Sequence, residues 1–181
     1  DADQNASLHG DLSGSGDLTT TGFGRIFLYG ANTYTGRTFV GPGSLAFMGS
    51  MAQGDIANGG GVIVSMTSDL TYAGVMSGGG TLALEGSGTL TLSGNNSFTG
   101  GLYANPGSKV AVSSDANLGG ASGSVTLTNA TLKYLSSFDW APTRTLVTSN
   151  GTLDLNGATT TIGGTISGIN GLAIQGPGQA T

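Results

Sequence analysis

The chain has 181 residues, of which 35 are glycine, while charged residues make up only 8%. An ordinary globular domain has about 25% charged residues and about 7% glycine, so this composition lies outside that class. The net charge of -5, with only five basic residues, argues against a basic surface for nucleic acid or an anionic membrane. The chain contains no cysteine, so neither disulfides nor thiolate metal sites hold its fold.

Short runs of alternating apolar and polar residues recur along the chain, in which 37% of the residues are hydrophobic. A period of two bounded by Gly, Asn and Pro is typical of short, half-buried strands. No long stretch carries the apolar stripe of a helix, so the sequence predicts an all-β fold. In chain order, clear examples of these runs are 89–92, 124–128 and 152–155.

An ungapped internal repeat organises these runs, because residues 12–47 align with residues 76–111 at a constant offset of 64. A third copy opens at Ile162 and runs to Thr181, short of the point where its Gly-x-Asn-x-aromatic-Thr-Gly segment is expected. We therefore expect residues 1–181 to be a single segment of a longer array. The copies are assigned to about 8–71, 72–161 and 162–181, the last of them incomplete.

Strands this short bury an interior only if successive turns of the chain stack on one another. A right-handed parallel β-helix stacks in this way. With about 20 residues in each rung, the repeat offset corresponds to about three rungs and the chain to roughly eight or nine. The sequence thus predicts a β-helical solenoid with a continuous interior column.

The recurring Gly-x-Asn segment supplies residues predicted to shape the turns. Its asparagines are predicted turn formers, and its glycines are expected where the backbone is left-handed or crowded. Its aromatic residue is predicted to stack along one edge of the core. The residues concerned are Gly30, Asn32, Tyr34 and Gly36 in the first copy and Gly94, Asn96, Phe98 and Gly100 in the second.

The sequence predicts no catalytic residue, cofactor or metal ligand within the chain. His9 is the only histidine, and its counterparts in the other copies are Ala73 and Gly163, which favours an outward-facing surface residue.

Acidic residues occur singly and differ between copies, as is typical of solvent positions. A glycosidase pair stays open in principle, because residues distant in sequence meet in a stacked rod. The threonines keep no column between copies, so ice binding is not expected.

The segment 136–144 departs from the repeat and holds the only tryptophan. If Trp140 and Arg144 were exposed on a loop, they could form a contact surface for a ligand. The alternative, which we favour, is a longer turn whose Phe138 or Trp140 packs onto the rod.

The strings 86–101 and 28–36 resemble the passenger-associated repeat of bacterial autotransporters, and 151–168 resembles the run that precedes that motif. The resemblance implies a non-catalytic stalk that displays a functional head outside a Gram-negative cell, at its surface. The partner implied is the protein's own C-terminal outer-membrane β-barrel, beyond this segment, with a head upstream. A stalk that folds rung by rung would also aid secretion.

Two alternatives to the plain stalk stay open. The rod could be an adhesin whose long faces bind a host-cell or matrix ligand through many weak contacts. It could also be the scaffold of an upstream subtilisin-like protease head. In each case we expect a monomer.

Overall fold

The computed structural model describes residues 4–181, which form 19 strands and one short 3₁₀ helix at Asp115–Leu118. The strands pair in parallel and stack in successive coils, which confirms the predicted parallel β-helix. In chain order the strands are β1 (Ala6–Leu8), β2 (Leu18–Thr20), β3 (Arg25–Leu28), β4 (Thr38–Val40), β5 (Ser44–Phe47), β6 (Ile56–Asn58), β7 (Gly61–Ser65), β8 (Leu70–Tyr72), β9 (Met76–Ser77), β10 (Thr81–Glu85), β11 (Thr89–Leu92), β12 (Leu102–Ala104), β13 (Lys109–Val112), β14 (Val125–Thr128), β15 (Thr131–Tyr134), β16 (Leu146–Asp154), β17 (Thr159–Thr160), β18 (Ile166–Gln175) and β19 (Gln179–Ala180).

The strands lie on three faces of the rod, which we name A, B and C. Face A is continuous through nine coils and contains β1, β3, β5, β7, β10, β12, β14 and the first halves of β16 and β18. Face B contains β8, β11, β13, β15 and the second halves of β16 and β18. Face C contains β2, β4, β6 and β9, and later β17 and β19. Between β9 and β17, turns and the 3₁₀ helix close the third side of the rod.

The interior is a single hydrophobic column because alternate residues of each strand point inward. In β10, Leu82 and Leu84 are buried, whereas Thr81 and Ala83 are half-buried and Glu85 is exposed. Parallel register places Leu82 of this strand beside Leu102 of the next coil, so like side chains stack. Within residues 4–181, no helix has the length and apolar character needed to cross a membrane.

The sequence repeat is out of phase with the coils. Ile26 pairs with Leu45, Leu45 with Val62, and Val62 with Leu82, so three coils on face A use 56 residues. The remaining eight residues of the 64-residue offset carry the chain from Leu82 to Leu90, which lies in β11 on face B. The offset is therefore about three rungs, as predicted, plus the step to the next face: the second copy lies three coils along and one face around. The step from Leu45 to Val62 takes only 17 residues, and this short coil contributes most to the phase difference.

Candidate functional site

The predicted turn asparagines lie inside the rod. Asn32 and Asn96 are buried, and neither has the positive φ of a left-handed turn. Asn32 Nδ2 donates to the carbonyl oxygen of Ser50 at 2.7 Å, and Asn96 Nδ2 donates to that of Asn117 at 2.7 Å. These amides connect one coil with the next, because at an inward corner the backbone groups need partners that water cannot supply. Both residues thus lie at corners, but neither forms the left-handed turn that the sequence suggests for a turn former.

Apart from glycines, the residues that make left-handed turns are other asparagines, at exposed corners. Asn129 and Asn150 stack at the corner between faces A and B, and Asn150 Nδ2 donates to Asn129 Oδ1 at 3.2 Å. Asn tolerates positive φ better than most residues because its short polar side chain makes local hydrogen bonds. Among the described residues, the non-glycine positions with positive φ are Asn129, Asn150, Asn156 and Asn170.

The glycines of the repeated segment are required by crowding between coils. Gly30, Gly36, Gly94 and Gly100 do not have left-handed φ values, so only the crowded part of the prediction applies to them. A Cβ atom at Gly100 would lie 2.5 Å from the carbonyl oxygen of Gly80 in the preceding coil. Each of the other three would likewise meet a backbone carbonyl oxygen one coil earlier, at Gly10, Gly16 and Gly74 respectively.

Replacing Gly100 by alanine is expected to destabilise the rod by about 1–3 kcal/mol, because the added methyl overlaps a backbone atom that cannot move freely. Gly79→Ala is the matched control, since a Cβ atom there meets nothing within 4 Å. Urea denaturation of both variants measures the difference. Equal free energies of unfolding for the two variants would contradict the crowding argument.

The repeated aromatic residues are buried, but they do not form a stack. Tyr34 is 3% exposed and Phe98 is fully buried. The Tyr34 hydroxyl lies 2.7 Å from Thr38 Oγ1, and burial raises the pKa of Tyr34 above its ordinary value despite this hydrogen bond. Among the described residues, neither ring is part of an aromatic pair. Each of these aromatics therefore fills the core within its own coil, without stacking on another aromatic ring.

Trp140 and Arg144 are both buried, so the surface-contact interpretation is wrong for them. Trp140 is 3% exposed, and its Nε1 donates to the Tyr134 hydroxyl at 2.6 Å. Phe138 packs on the Tyr134 ring with centroids 4.8 Å apart. The segment 136–144 is thus the longer turn packed onto the rod.

Arg144 forms a clamp around the 3₁₀ helix and the turn that follows it. Its Nε donates to Asp115 Oδ1 at 2.7 Å, and its Nη2 donates to Asp115 Oδ2 at 3.0 Å. The same guanidinium donates to backbone carbonyl oxygens, so its fork of donors is fully used at zero exposure. The accepting carbonyls belong to Asp115, Leu118, Gly119 and Gly123.

A second set of polar contacts, which we call the aspartate clamps, recurs at the exposed corners. In each clamp an aspartate Oδ1 accepts the backbone N–H of a residue one coil later, at 2.7–2.8 Å. The backbone N–H of the next coil is thereby hydrogen-bonded to a charged acceptor, which makes the bond stronger than one to a neutral acceptor. The clamp pairs are Asp11 with Ala31, Asp17 with Arg37, Asp55 with Val75, Asp69 with Thr89 and Asp139 with Thr161.

From sequence these aspartates are predicted at solvent positions, and their bonds between coils are not foreseen. A signal exists, because each clamp aspartate directly precedes an apolar residue of the core or packed against it, such as Leu18 after Asp17 or Ile56 after Asp55. The acceptor and donor are about one coil apart in sequence. Recognising the clamp requires the coil length at that point, which the repeat offset alone did not reveal.

Acidification is expected to weaken the Asp69 clamp. The Thr89 backbone N–H lowers the pKa of Asp69 below its ordinary value, aided by the Thr89 side chain and Lys109. A carboxyl whose folded-state pKa is lowered adds stability above its unfolded-state pKa of about 3.9, and this is lost as pH falls through the folded-state value. Melting temperature between pH 6 and pH 2 measures the loss.

Two substitutions separate the charge from the acceptor at this position. Asp69→Asn keeps an Oδ1 acceptor and should reduce the acid-induced fall in melting temperature. Asp69→Ala removes the acceptor and should lower the melting temperature at neutral pH as well. If Asp69→Asn showed the same fall with acid as the unaltered chain, the clamp would not be the source of the pH dependence.

The outer surface carries an aromatic group near the first coils. His9 is exposed, as predicted, and its ring stacks on that of Tyr29 with centroids 4.6 Å apart. Phe27 lies beside Tyr29 at 6.3 Å, and the Arg25 guanidinium carbon lies 5.7 Å from the Phe27 centroid. In the part of the chain that the structure describes, no group of three or more His, Asp or Glu side chains is arranged to hold a metal ion.

No family model, curated protein or solved structure matches the chain. The function must therefore be inferred from the geometry of the rod together with the sequence resemblance.

Proposed function

We propose that the chain is a non-catalytic β-helical stalk of an autotransporter passenger. The observation that carries this proposal is the unbroken parallel pairing of face A through nine coils. With a rise of about 4.8 Å for each coil, this pairing makes an elongated rod of about 40 Å. Such a rod would hold a head domain at one end at a fixed distance from the other end.

The polar contacts also favour a role in which the rod resists mechanical force. The aspartate clamps and the Arg144 clamp each join one coil to a neighbouring coil, so they reinforce the hydrogen bonds that run along the rod axis. In a solenoid each coil contacts only its neighbours, so stability is approximately a sum of neighbouring interfaces. Contacts that strengthen those interfaces resist both fraying and bending.

The finer parts of the proposal are supported by the sequence resemblance. They place the stalk outside a Gram-negative cell as a monomer, joined to its own outer-membrane barrel and carrying a head, which could be a subtilisin-like protease. The absence of cysteine fits this path, because no disulfide can form before the chain crosses the outer membrane. Rung-by-rung folding outside the cell would then assist secretion.

Deleting one whole coil in the parent protein tests the stalk. Removal of residues 82–101 joins Thr81 to Leu102, which occupies the register position of Leu82 in the next coil. We expect the protein to fold and to reach the cell surface, with its head closer to the membrane by about 4.8 Å. Removal of residues 82–91 is the control, because it brings face B residues into face A and should abolish folding and display.

Electron microscopy of the displayed protein and a surface-labelling assay provide the two measurements. If removing several whole coils left surface delivery unchanged, the stalk would have no role in secretion. If the head height did not change with the number of coils, the spacer role would fail as well.

The adhesin alternative is favoured by one observation on face A. The register places Phe27, Ala46, Ile63, Ala83 and Tyr103 in one outward row across five coils. Tyr103 is 37% exposed at one end of the row, whereas Ala46 and Ile63 within it are 1% and 7% exposed. An apolar row of this kind could bind a host-cell or matrix surface through repeated weak contacts.

Substitution within this row distinguishes the adhesin from the plain stalk. The double variant Phe27→Ser and Tyr103→Ser should lose binding of the purified chain to cells or matrix at micromolar concentration. Thr126→Ala, in the same row one coil further on, is the control. If the unaltered chain does not bind at all, the adhesin alternative is excluded and the stalk is retained.

A further inference from the structure

Four Asn-Gly pairs occur in the chain, and they differ in burial and in the hydrogen bonds that restrain them. In such a pair the glycine amide nitrogen can attack the asparagine side-chain carbonyl carbon, because glycine has no Cβ to hinder the approach. The reaction needs a side chain that can move and a glycine N–H that can be released. The pairs are Asn58–Gly59, Asn150–Gly151, Asn156–Gly157 and Asn170–Gly171.

Asn58–Gly59 is the most restrained pair. Asn58 is fully buried in β6, and its Nδ2 donates to the Thr81 carbonyl oxygen at 2.8 Å. The Gly59 N–H donates to the Val40 carbonyl oxygen at 2.7 Å. Both reacting groups are therefore held by the coils on either side.

Asn150 and Asn156 are exposed, but their glycine N–H groups are engaged. The Gly151 N–H donates to Thr148 Oγ1 at 3.0 Å, and the Gly157 N–H donates to the Pro177 carbonyl oxygen at 2.6 Å. Asn156 Nδ2 also donates to the Tyr134 carbonyl oxygen at 3.1 Å. Attack by either nitrogen must first break its own hydrogen bond.

Asn170–Gly171 occupies the same corner as Asn150–Gly151, one coil later, but its restraint differs. Register pairs Thr148 with Gly168, so no hydroxyl corresponds to the one that holds the Gly151 N–H. Thr148 Oγ1 instead donates to the carbonyl oxygen of Gly171 at 3.0 Å, which restrains the acceptor of this residue and not the attacking nitrogen. Asn170 is exposed with φ 61°, and its Nδ2 lies 3.4 Å from Ser149 Oγ, which is a weak hydrogen bond.

We propose that Asn170 is a site of spontaneous deamidation in the folded chain. The Gly171 nitrogen attacks Asn170 Cγ and loses its proton to water, the bond from Cγ to Nδ2 breaks, and ammonia leaves. The five-membered succinimide that forms is then opened by water at either of its two carbonyl carbons. One opening gives aspartate, and the other gives isoaspartate, in which the main chain runs through the former side chain.

The product changes the corner at which β18 passes from face A to face B. It places a new negative charge beside Ser149 and Asn150, and in the isoaspartate form it lengthens the main chain by one carbon atom. The pairing of 166–169 and 172–175 with β16 depends on the geometry of this corner. We therefore expect amide hydrogen exchange in 166–175 to accelerate once Asn170 has reacted.

The test is to incubate the purified 181-residue chain at mildly alkaline pH and to follow deamidation of each Asn-Gly pair by peptide mass spectrometry. Release of one neutral hydrogen bond is expected to make Asn170 react about two- to tenfold faster than Asn150. Asn58 should be the slowest of the four. In concentrated urea the rates should converge, because the four pairs share the same local chemistry.

Two variants make the result specific. Thr148→Val removes the hydroxyl that holds the Gly151 N–H and should raise the rate at Asn150 toward that at Asn170. Because the same hydroxyl donates to the Gly171 carbonyl oxygen, the rate at Asn170 is followed in this variant too and should change less than the rate at Asn150. Asn170→Gln should suppress the reaction at this corner, since the ring it would form is larger. Asn170 reacting no faster than Asn58 in the folded chain would overturn the proposal, as would an unchanged ranking of the four rates in urea.

Discussion

Replacing Arg144 by alanine is expected to lower the free energy of unfolding by about 3–5 kcal/mol, the usual effect of removing one member of a buried ion pair. Arg144 has no exposed surface, whereas the Asp115 side chain is 20% exposed. Loss of the guanidinium leaves a carboxylate and several backbone carbonyls without donors in a region that water enters poorly. Urea denaturation followed by fluorescence of the buried Trp140 gives the measurement.

Two further variants identify the cause. Arg144→Lys keeps the charge but lacks the planar fork, so it should recover only part of the stability. Lys109→Ala removes an exposed cation and should change the free energy of unfolding by less than about 0.5 kcal/mol. The clamp would be refuted if Arg144→Ala were no more harmful than Lys109→Ala.

Replacing Phe98 by alanine is expected to destabilise the rod by about 3–5 kcal/mol, because a buried aromatic leaves a cavity that the surrounding coils fill poorly. Phe98 is fully buried, and a Cβ atom at Gly119 would lie 2.9 Å from its ring, which shows how closely the next coil packs on it. Phe98→Leu should cost less, since it retains more apolar volume. The measurement is again denaturation with Trp140 fluorescence as the probe.

Tyr103→Ala is the matched control for Phe98, because Tyr103 is an aromatic residue of the next coil with an outward side chain. Its removal should change the free energy of unfolding by less than about 0.5 kcal/mol. Similar losses at Phe98 and Tyr103 would show that the repeated aromatic is not a core residue.

The fold could be predicted from sequence because its main signal is local. Alternation such as that of 89–92 depends on which side of a strand faces the core, and a repeat of short strands leaves stacking as the way to bury that side. The phase of the repeat could not be predicted, because it depends on coil lengths. A 17-residue step between Leu45 and Val62 cannot be distinguished by pattern from a 20-residue step such as that between Leu82 and Leu102.

The polar contacts were less predictable than the fold. Asn32 and Asn150 are the same residue type, yet the first is buried and joins two coils, while the second is exposed and turns the chain. Which role an asparagine takes depends on the corner it reaches, and so on the coil lengths before it. Arg144 illustrates the same limit, because its carboxylate partner Asp115 lies 29 residues earlier and is brought near only by the stacking.

The shift of the repeat by one face affects how the rod responds to force. Crowded glycines line one corner of the rod through successive coils, since a Cβ atom at Gly60, Gly80 or Gly100 would meet the carbonyl oxygen of Gly43, Gly60 or Gly80 respectively. The repeated aromatics Tyr34 and Phe98 differ from these glycines, because the shift by one face places them on different sides of the core. A longer array with this offset would distribute its bulky core residues around the axis, so that no single side of the column yields first when it is bent.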